Sequence, residues 1–191
     1  MNKIGEDLLD HLNRLNFIFK NEEIKTVCIK KFNGFSLFNE NFGPFEQGKN
    51  YKLKFFIAKI LINNNILKLA PNEKCDNIDV QRYAIAERDN QKLMQREYVY
   101  FLNKIKEYRF FMHKDVKDNI KPKIDLDRFN SYLSNIIDSR LLKLLRLSKA
   151  ELTLEDEKRL TRTEFVLYKF INHIINTWRD FFLDAGMYSN N

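Results

Sequence analysis

The sequence predicts an α+β fold, in which a mainly α-helical domain of about four helices is preceded by a small β-rich domain. Two observations support this prediction. Three of the five glycines, Gly34, Gly43 and Gly48, fall within fifteen residues, in a region where apolar and polar residues alternate. After Pro71, apolar residues recur at three- and four-residue steps with almost no glycine before Gly186, which is typical of helices. The predicted boundaries are an N-terminal helix at 1–22, the β-rich domain at 23–71 and the helical domain at 72–191.

The first third of the chain contains one helix pattern followed by several short strand patterns. An apolar stripe from Leu8 to Ile18 predicts an amphipathic helix that ends near Asn21. β-branched residues alternate with polar ones from Ile24 onwards, and the Asn33-Gly34 turn signal closes this strand. Further strands are predicted at 36–38, 51–55 and 66–69, with a short helix at 57–62 between the last two.

The helical domain begins with a stripe from Tyr98 to Met112 that predicts one helix. Val80 and Ala84 belong either to its upstream extension or to a separate short helix. Asp125 can cap the next helix, whose stripe covers 126–145.

The last helix has the clearest start signal in the sequence. Thr161 and Glu164 have the spacing of a capping box, in which the hydroxyl accepts from the third helical amide and the carboxylate accepts from the cap amide. Thr153 with Asp156 is an alternative start. Two apolar stripes follow on this helix, which predicts contact on both of its sides. The outer stripe is a candidate interface with another chain. The candidate interface residues are Phe170, Ile174, Trp178, Phe181 and Phe182.

Composition excludes several classes of protein. The 191 residues carry 33 basic and 26 acidic side chains, hence +7, and 44% are hydrophobic, which argues against a disordered polyelectrolyte. Two distant cysteines do not make a disulfide framework or a four-cysteine zinc site. There is no apolar run of membrane-spanning length, and acids stand where a signal peptide carries cations. We therefore expect a soluble intracellular protein with no membrane partner.

The segment GPFEQGKN at 43–50 has the G-x-x-x-x-G-K spacing of a phosphate-binding loop. Asn50 stands where that loop needs a Ser or Thr hydroxyl for magnesium, and the following YKLKF alternates like a strand instead of opening a helix. We therefore predict a β-turn with a surface lysine, Lys49. A nucleotide-dependent enzyme using this loop is the alternative.

Other chemistry is not signalled by the sequence. His11, His113 and His173 have no metal-ligating residue types at ligand spacing, and neither Cys28 nor Cys75 has a partner pattern for nucleophilic catalysis. We expect no metal, no cofactor and no catalytic residue. Basic side chains between 82 and 123 mix with acids along helix faces, which indicates a solvated surface, with a weak phosphate-binding face as the alternative. These side chains are Arg82, Arg88, Lys92, Arg96, Lys104, Lys106, Arg109, Lys114, Lys117, Lys121 and Lys123.

The order of short motifs along the chain resembles the GINS family of replication factors, in the class whose β domain precedes the helical domain. The resemblance includes the strand IKTVCI, a G-P-F-x-x-G turn, a short helix leading into LKLAP, an R-x-x-K-L helix and an L-T-x-x-E helix start. It covers residues 23 to 178. The family motif positions are Gly43, Pro44, Phe45, Gly48, Ala58, Pro71, Arg140, Lys143, Leu144, Thr161 and Glu164.

The resemblance implies a non-catalytic scaffold subunit of a heterotetramer. Its partners would be the other GINS subunits, the MCM ring ATPase and the RecJ-related Cdc factor, with a weak DNA contact inside the assembled replicative helicase. It also implies a nuclear location, or the cytoplasm and nucleoid for an archaeal subunit of the same layout, which is the alternative within the family. The alternative from another class is a stand-alone basic helical nucleic-acid-binding protein.

Overall fold

The computed structural model describes residues 3–37 and 39–183. The described residues form seven α-helices and five β-strands, so the predicted α+β fold is confirmed. The chain divides into a small unit of residues 16–76 and a helical unit made of residues 77 onwards together with the first fifteen residues. The first boundary therefore lies inside the first helix, seven residues before the predicted one, and the second lies at 76 instead of 71.

The elements follow one another in this order: α1 Lys3–Lys20, β1 Glu23–Cys28, β2 Phe35–Leu37, β3 Glu40–Phe42, β4 Asn50–Lys54, α2 Phe55–Asn63, β5 Leu67–Leu69, a 3-10 turn at Pro71–Glu73, α3 Asn77–Asp89, α4 Phe101–Lys117, α5 Lys123–Leu147, α6 Leu154–Arg159 and α7 Arg162–Leu183.

The small unit is built on a three-stranded antiparallel sheet with strand order β4-β1-β5. Alternate residues of β1, including Ile24 and Cys28, are buried, while the residues between them face away from the core. Helix α2 contributes Phe55, Ile57 and Leu61 to that core. One face of the sheet is therefore packed and the other is left open to solvent.

A separate hairpin of β2 and β3 contains a strand that the sequence analysis missed. Glu-Asn-Phe in β3 shows no apolar alternation, and the strand forms because it pairs with β2 and because Phe35 and Phe42 stack at 5.3 Å between ring centroids. The predicted strand at 36–38 is observed at Phe35–Leu37, and Phe38 lies outside the described residues.

The helical unit keeps the predicted helices with two corrections. Helix α5 begins at Lys123 after Pro122, so Asp125 lies in the first turn and does not cap the helix. Pro122 is the N-cap itself, with φ −71° and ψ 149°, which is extended backbone outside the helix, and no side chain caps this helix. Residues 77–89 form a separate helix, α3, and Tyr98 lies before α4.

Both candidate starts for the last helix are used, because a short helix precedes the long one. The Thr153 hydroxyl accepts from the Asp156 amide at 3.1 Å and begins α6. At α7, the Thr161 amide donates to the Glu164 carboxylate at 2.8 Å, and the Glu164 amide lies 3.4 Å from the Thr161 hydroxyl. This reciprocal pair is the predicted capping box.

Candidate functional site

The glycine-rich motif positions of the small unit form a tight turn around a buried aromatic ring. Gly43 and Gly34 both have positive φ and lie against each other; a Cβ on Gly34 would stand 2.1 Å from the Phe42 carbonyl oxygen. The Gly43-Pro44 peptide is cis, and the Phe45 ring that follows is 1% exposed. The backbone segments at Gly34 and Gly43 therefore lie too close together to accommodate a Cβ at either position, and these residues have a structural role in the small unit.

The loop with the phosphate-binding spacing has the geometry of a turn between paired segments. Lys49 forms an exposed ion pair with Glu46 at 2.6 Å, and its carbonyl accepts from the Cys28 amide. Strand β4 begins directly afterwards at Asn50, whereas a phosphate-binding loop opens into a helix N-terminus. The remaining motif positions of this unit are Ala58, buried in α2, and Pro71, which opens the 3-10 turn.

The motif positions of the helical unit converge on one buried ionic cluster, which we call the Arg140 cluster: Glu87, Arg96, Arg140, Lys143 and Glu164. Arg140 is 1% exposed and donates five hydrogen bonds, one for each N–H of its guanidinium group. Two bonds of 2.5 and 2.8 Å go to the Glu164 carboxylate and one of 2.7 Å goes to Glu87. The other two go to the carbonyl oxygens of Met94 and Arg159.

Glu87 is the second hub of the Arg140 cluster. Its carboxylate, which is fully buried, accepts from Arg140, from Arg96 at 2.8 Å and from Lys143 at 2.7 Å. Burial by itself raises the pKa of Glu87, but the hydrogen bonds and charges of Lys143 and Arg140 outweigh burial and hold the pKa below its ordinary value. Lys143 places its other two donors on the carbonyl oxygens of Glu87 and Lys92.

The cluster joins α3, the segment before α4, α5, α6 and the start of α7. Burial lowers the pKa of Arg140, but the hydrogen bonds and charge of Glu164, with those of Glu87, raise it above the ordinary value, so the guanidinium remains charged. Leu144, the neighbouring motif position, packs beside it with Leu93, Leu160 and Tyr168. These motif residues therefore have a structural role in holding the helices together.

Glu87 was missed by the sequence analysis, although a signal for it exists. Glu87 lies on the apolar stripe of α3, seven residues after Val80, and Arg140 lies on the apolar stripe of α5. Two opposite charges on buried helix faces indicate a buried ion pair, because a buried charge needs a partner. Arg96 was assigned to a solvated basic face, which is wrong. Its side chain is only 9% exposed, bonds to Glu87 and lies 4.8 Å from the Phe101 ring centroid.

The candidate interface residues lie on α7, whose two halves have different surroundings. In the first half, Tyr168 is buried and donates to the Ala150 carbonyl at 2.7 Å, and Asn172 donates to Ser148 at 3.0 Å. Phe170 is half-buried and meets the His11 ring edge-on at 5.8 Å, so this candidate is engaged within the helical unit.

The second half of α7 is exposed at every residue from Asn176 to Leu183. The exposed fractions are 65% for Trp178, 75% for Phe181 and 64% for Phe182. Phe182 contacts both of the other rings, each at 5.0 Å between centroids. Together with Ile174, which is 46% exposed, these residues form what we call the α7 apolar face: Ile174, Trp178, Phe181 and Phe182.

No protein-family model matches this chain, and no curated protein matches it either.

No group of three or more potential metal ligands occurs in the part of the chain that the structure describes, and none of the helices there is long and apolar enough to cross a membrane. A groove of about 300 Å³ between α3 and α5 is open to solvent and lined by side chains such as Ile85, Tyr132 and Leu142. The α7 apolar face, with its adjoining exposed rings, is suited to binding a macromolecule.

Proposed function

We propose that this chain is a non-catalytic scaffold subunit of GINS, closest to the second "partner of Sld five" subunit. In this role it docks on sister subunits and helps to join the MCM ring ATPase and the RecJ-related Cdc factor into the active replicative helicase, during both initiation and elongation of DNA replication. An archaeal subunit of the same layout would act by the same binding mechanism.

The observation that carries this proposal is the α7 apolar face. An aromatic side chain contributes about 150–250 Å² of surface, so three rings at about two-thirds exposure present roughly 300–500 Å² of apolar area. A standard protein interface buries about 800 Å² on each partner, with aromatic residues enriched at its centre. The face therefore has the size and composition of the central part of such an interface.

The Arg140 cluster supports a binding role for α7. It fixes the start of the helix through Glu164, and Tyr168 and Asn172 continue the attachment for two further turns. The following two turns then extend beyond the packed core of the helical unit with their apolar residues in water. This arrangement presents a preformed surface to a partner, which reduces the conformational entropy lost on binding.

The proposal is tested by tagging the full chain in its source cell, purifying it and identifying the proteins that accompany it. We expect the other GINS subunits in equal amounts. Recovery of the chain as a monodisperse monomer, without sister subunits, would refute the proposal. Recovery as a homodimer held by α7 would refute it as well, because a second copy would then cover the face.

A matched pair of variants tests whether the α7 apolar face makes the contact. Phe181→Ser should weaken association with the sister subunits by at least about 30-fold, the loss expected for an aromatic hot spot of 2 kcal/mol or more. Leu154→Ser is the control, because Leu154 is 80% exposed but lies on α6. Equal affinity of the two variants, measured by titration of the tagged chain against its partners, would contradict the assignment of this face.

A further inference from the structure

The open face of the small unit's sheet carries a concentration of lysines that the sequence analysis did not identify. Residues directly opposite each other in a sheet share a face, and here Lys25 lies opposite Lys52, Glu23 opposite Lys54 and Lys68 opposite Val27. The four lysines are exposed and lie on all three strands. We call Lys25, Lys52, Lys54 and Lys68 the lysine face.

The lysine face is not neutralised by the residues that the structure describes. Glu23 is its one acidic residue, so the face has a net charge of +3, and the small unit from residue 16 to residue 76 contributes +4 of the chain's +7. None of the four ammonium groups has an ion-pair or hydrogen-bond partner within 3–37 and 39–183. Lys25 and Lys52 are held side by side although like charges directly opposite each other destabilise a sheet.

We propose that the lysine face binds the phosphate backbone of a nucleic-acid duplex without reading its sequence. Neighbouring lysines along β4 are two residues apart, about 6.8 Å, and their cross-strand neighbours are about 5 Å apart, so several ammonium groups can contact adjacent phosphates together. A duplex offers about one negative charge per 1.7 Å of axis, twice the density of one strand.

The other side chains of this surface favour a duplex over other anionic partners. The open face has no aromatic residue on which an unpaired base could stack, and no arginine for bidentate recognition of a base edge. Its one apolar residue, Val27, is half-buried and gives little to insert into a lipid surface. Phosphate contact alone therefore explains the composition of the face. This inference does not rest on the GINS proposal.

The experiment measures binding of the full chain, alone or with its partners, to a fluorescent 20-base-pair DNA duplex of arbitrary sequence at several salt concentrations. Three lysines without an opposing carboxylate, Lys25, Lys52 and Lys68, give an expected slope of about −2.7 for log affinity against log salt, or about 40-fold weaker binding at 200 mM than at 50 mM. The variant Lys25→Gln/Lys52→Gln/Lys68→Gln should reduce the slope by about this amount and weaken binding at 50 mM by at least about tenfold.

The control is Lys106→Gln/Lys149→Gln/Lys158→Gln, which removes the same charge from exposed positions of the helical unit and should retain the wild-type slope. Melting temperature is measured alongside, and the sheet variant should not melt lower because it removes the repulsion between Lys25 and Lys52. If it does melt lower, Lys68→Gln alone is used, with an expected reduction of about 0.9 in the slope.

Three outcomes would overturn the proposal. The first is an equal effect of the two triple variants, which would show that binding depends on the net charge of the chain and not on the lysine face. The second is tighter binding to a single strand than to the duplex, which would require base stacking that this face cannot supply. The third is equally strong competition by polyglutamate at the same charge, which would identify the partner as an acidic protein segment.

Discussion

Replacing Arg140 should destabilise the helical unit strongly. Arg140→Met keeps much of the side-chain volume but removes all five hydrogen bonds and leaves Glu164 buried with donors only from Thr161. Removing one partner of a buried ion pair costs about 3–5 kcal/mol because the other charge stays in the interior. Since a domain is stabilised by only about 5–15 kcal/mol, this variant should lose a large fraction of its stability.

The assay is urea unfolding of the full chain followed by far-UV circular dichroism. Arg128→Met is the matched control on the same helix, because Arg128 is 56% exposed and its contact with Asp125 is 3.9 Å long; we expect less than about 1 kcal/mol of change. Arg140→Lys should fall between the two, since an ammonium group has three donors for five acceptors. If Arg140→Met cost no more than Arg128→Met, the Arg140 cluster would not stabilise the helical unit.

Two further predictions concern acid sensitivity and a glycine. The pKa of Glu87 is lowered in the folded state, so its contribution to stability is present above its ordinary pKa of about 4.5 and is lost as the pH falls through the folded pKa. Urea midpoints measured between about pH 5 and pH 3 should therefore fall more steeply for the wild type than for Glu87→Gln. Parallel curves for the two proteins would contradict this prediction. Gly34→Ala should destabilise the small unit by more than about 1 kcal/mol, because the methyl group would collide with the Phe42 carbonyl oxygen and the φ of residue 34 is +95°. Gly5→Ala is the control, because there is open space around Gly5 in α1, and it should stabilise the protein by about 0.5–1 kcal/mol in the same unfolding assay.

Local signals in the sequence predicted the helices well because helical periodicity and capping act over a few residues. The capping box of Thr161 and Glu164 forms as predicted. Strand β3 was missed because its residues carry no alternation and depend on pairing with β2. Asp125 was assigned as a cap because Asp is a favoured N-cap residue, but the helix begins two residues earlier, at Lys123, and Pro122 is the N-cap.

The candidate sites show the same division between local and long-range information. The apolar stripes of α7 are visible in the sequence, but only the tertiary structure separates Phe170, which meets His11, from the exposed rings after it. The lysines of β1, β4 and β5 are visible as well, yet their concentration on one face depends on the strand register that places Lys25 opposite Lys52. Register is set by pairing between segments that are distant in the sequence. A count of charges along the chain therefore does not show that these lysines lie on one face.

Neither proposed binding surface stabilises the free chain. Two lysines directly opposite each other in a sheet cost a few tenths of a kcal/mol to about 1 kcal/mol. The three exposed rings of α7 lack the stabilisation of roughly 2 kcal/mol or more that complete burial of each ring would contribute. The Arg140 cluster, by contrast, leaves no donor of Arg140 unused. Arg140, all of whose donors are bonded, holds the start of α7 in place through Glu164, whereas the end of the helix is exposed. Each exposed surface then has free energy to gain from a partner of matching chemistry: apolar at α7 and anionic at the lysine face.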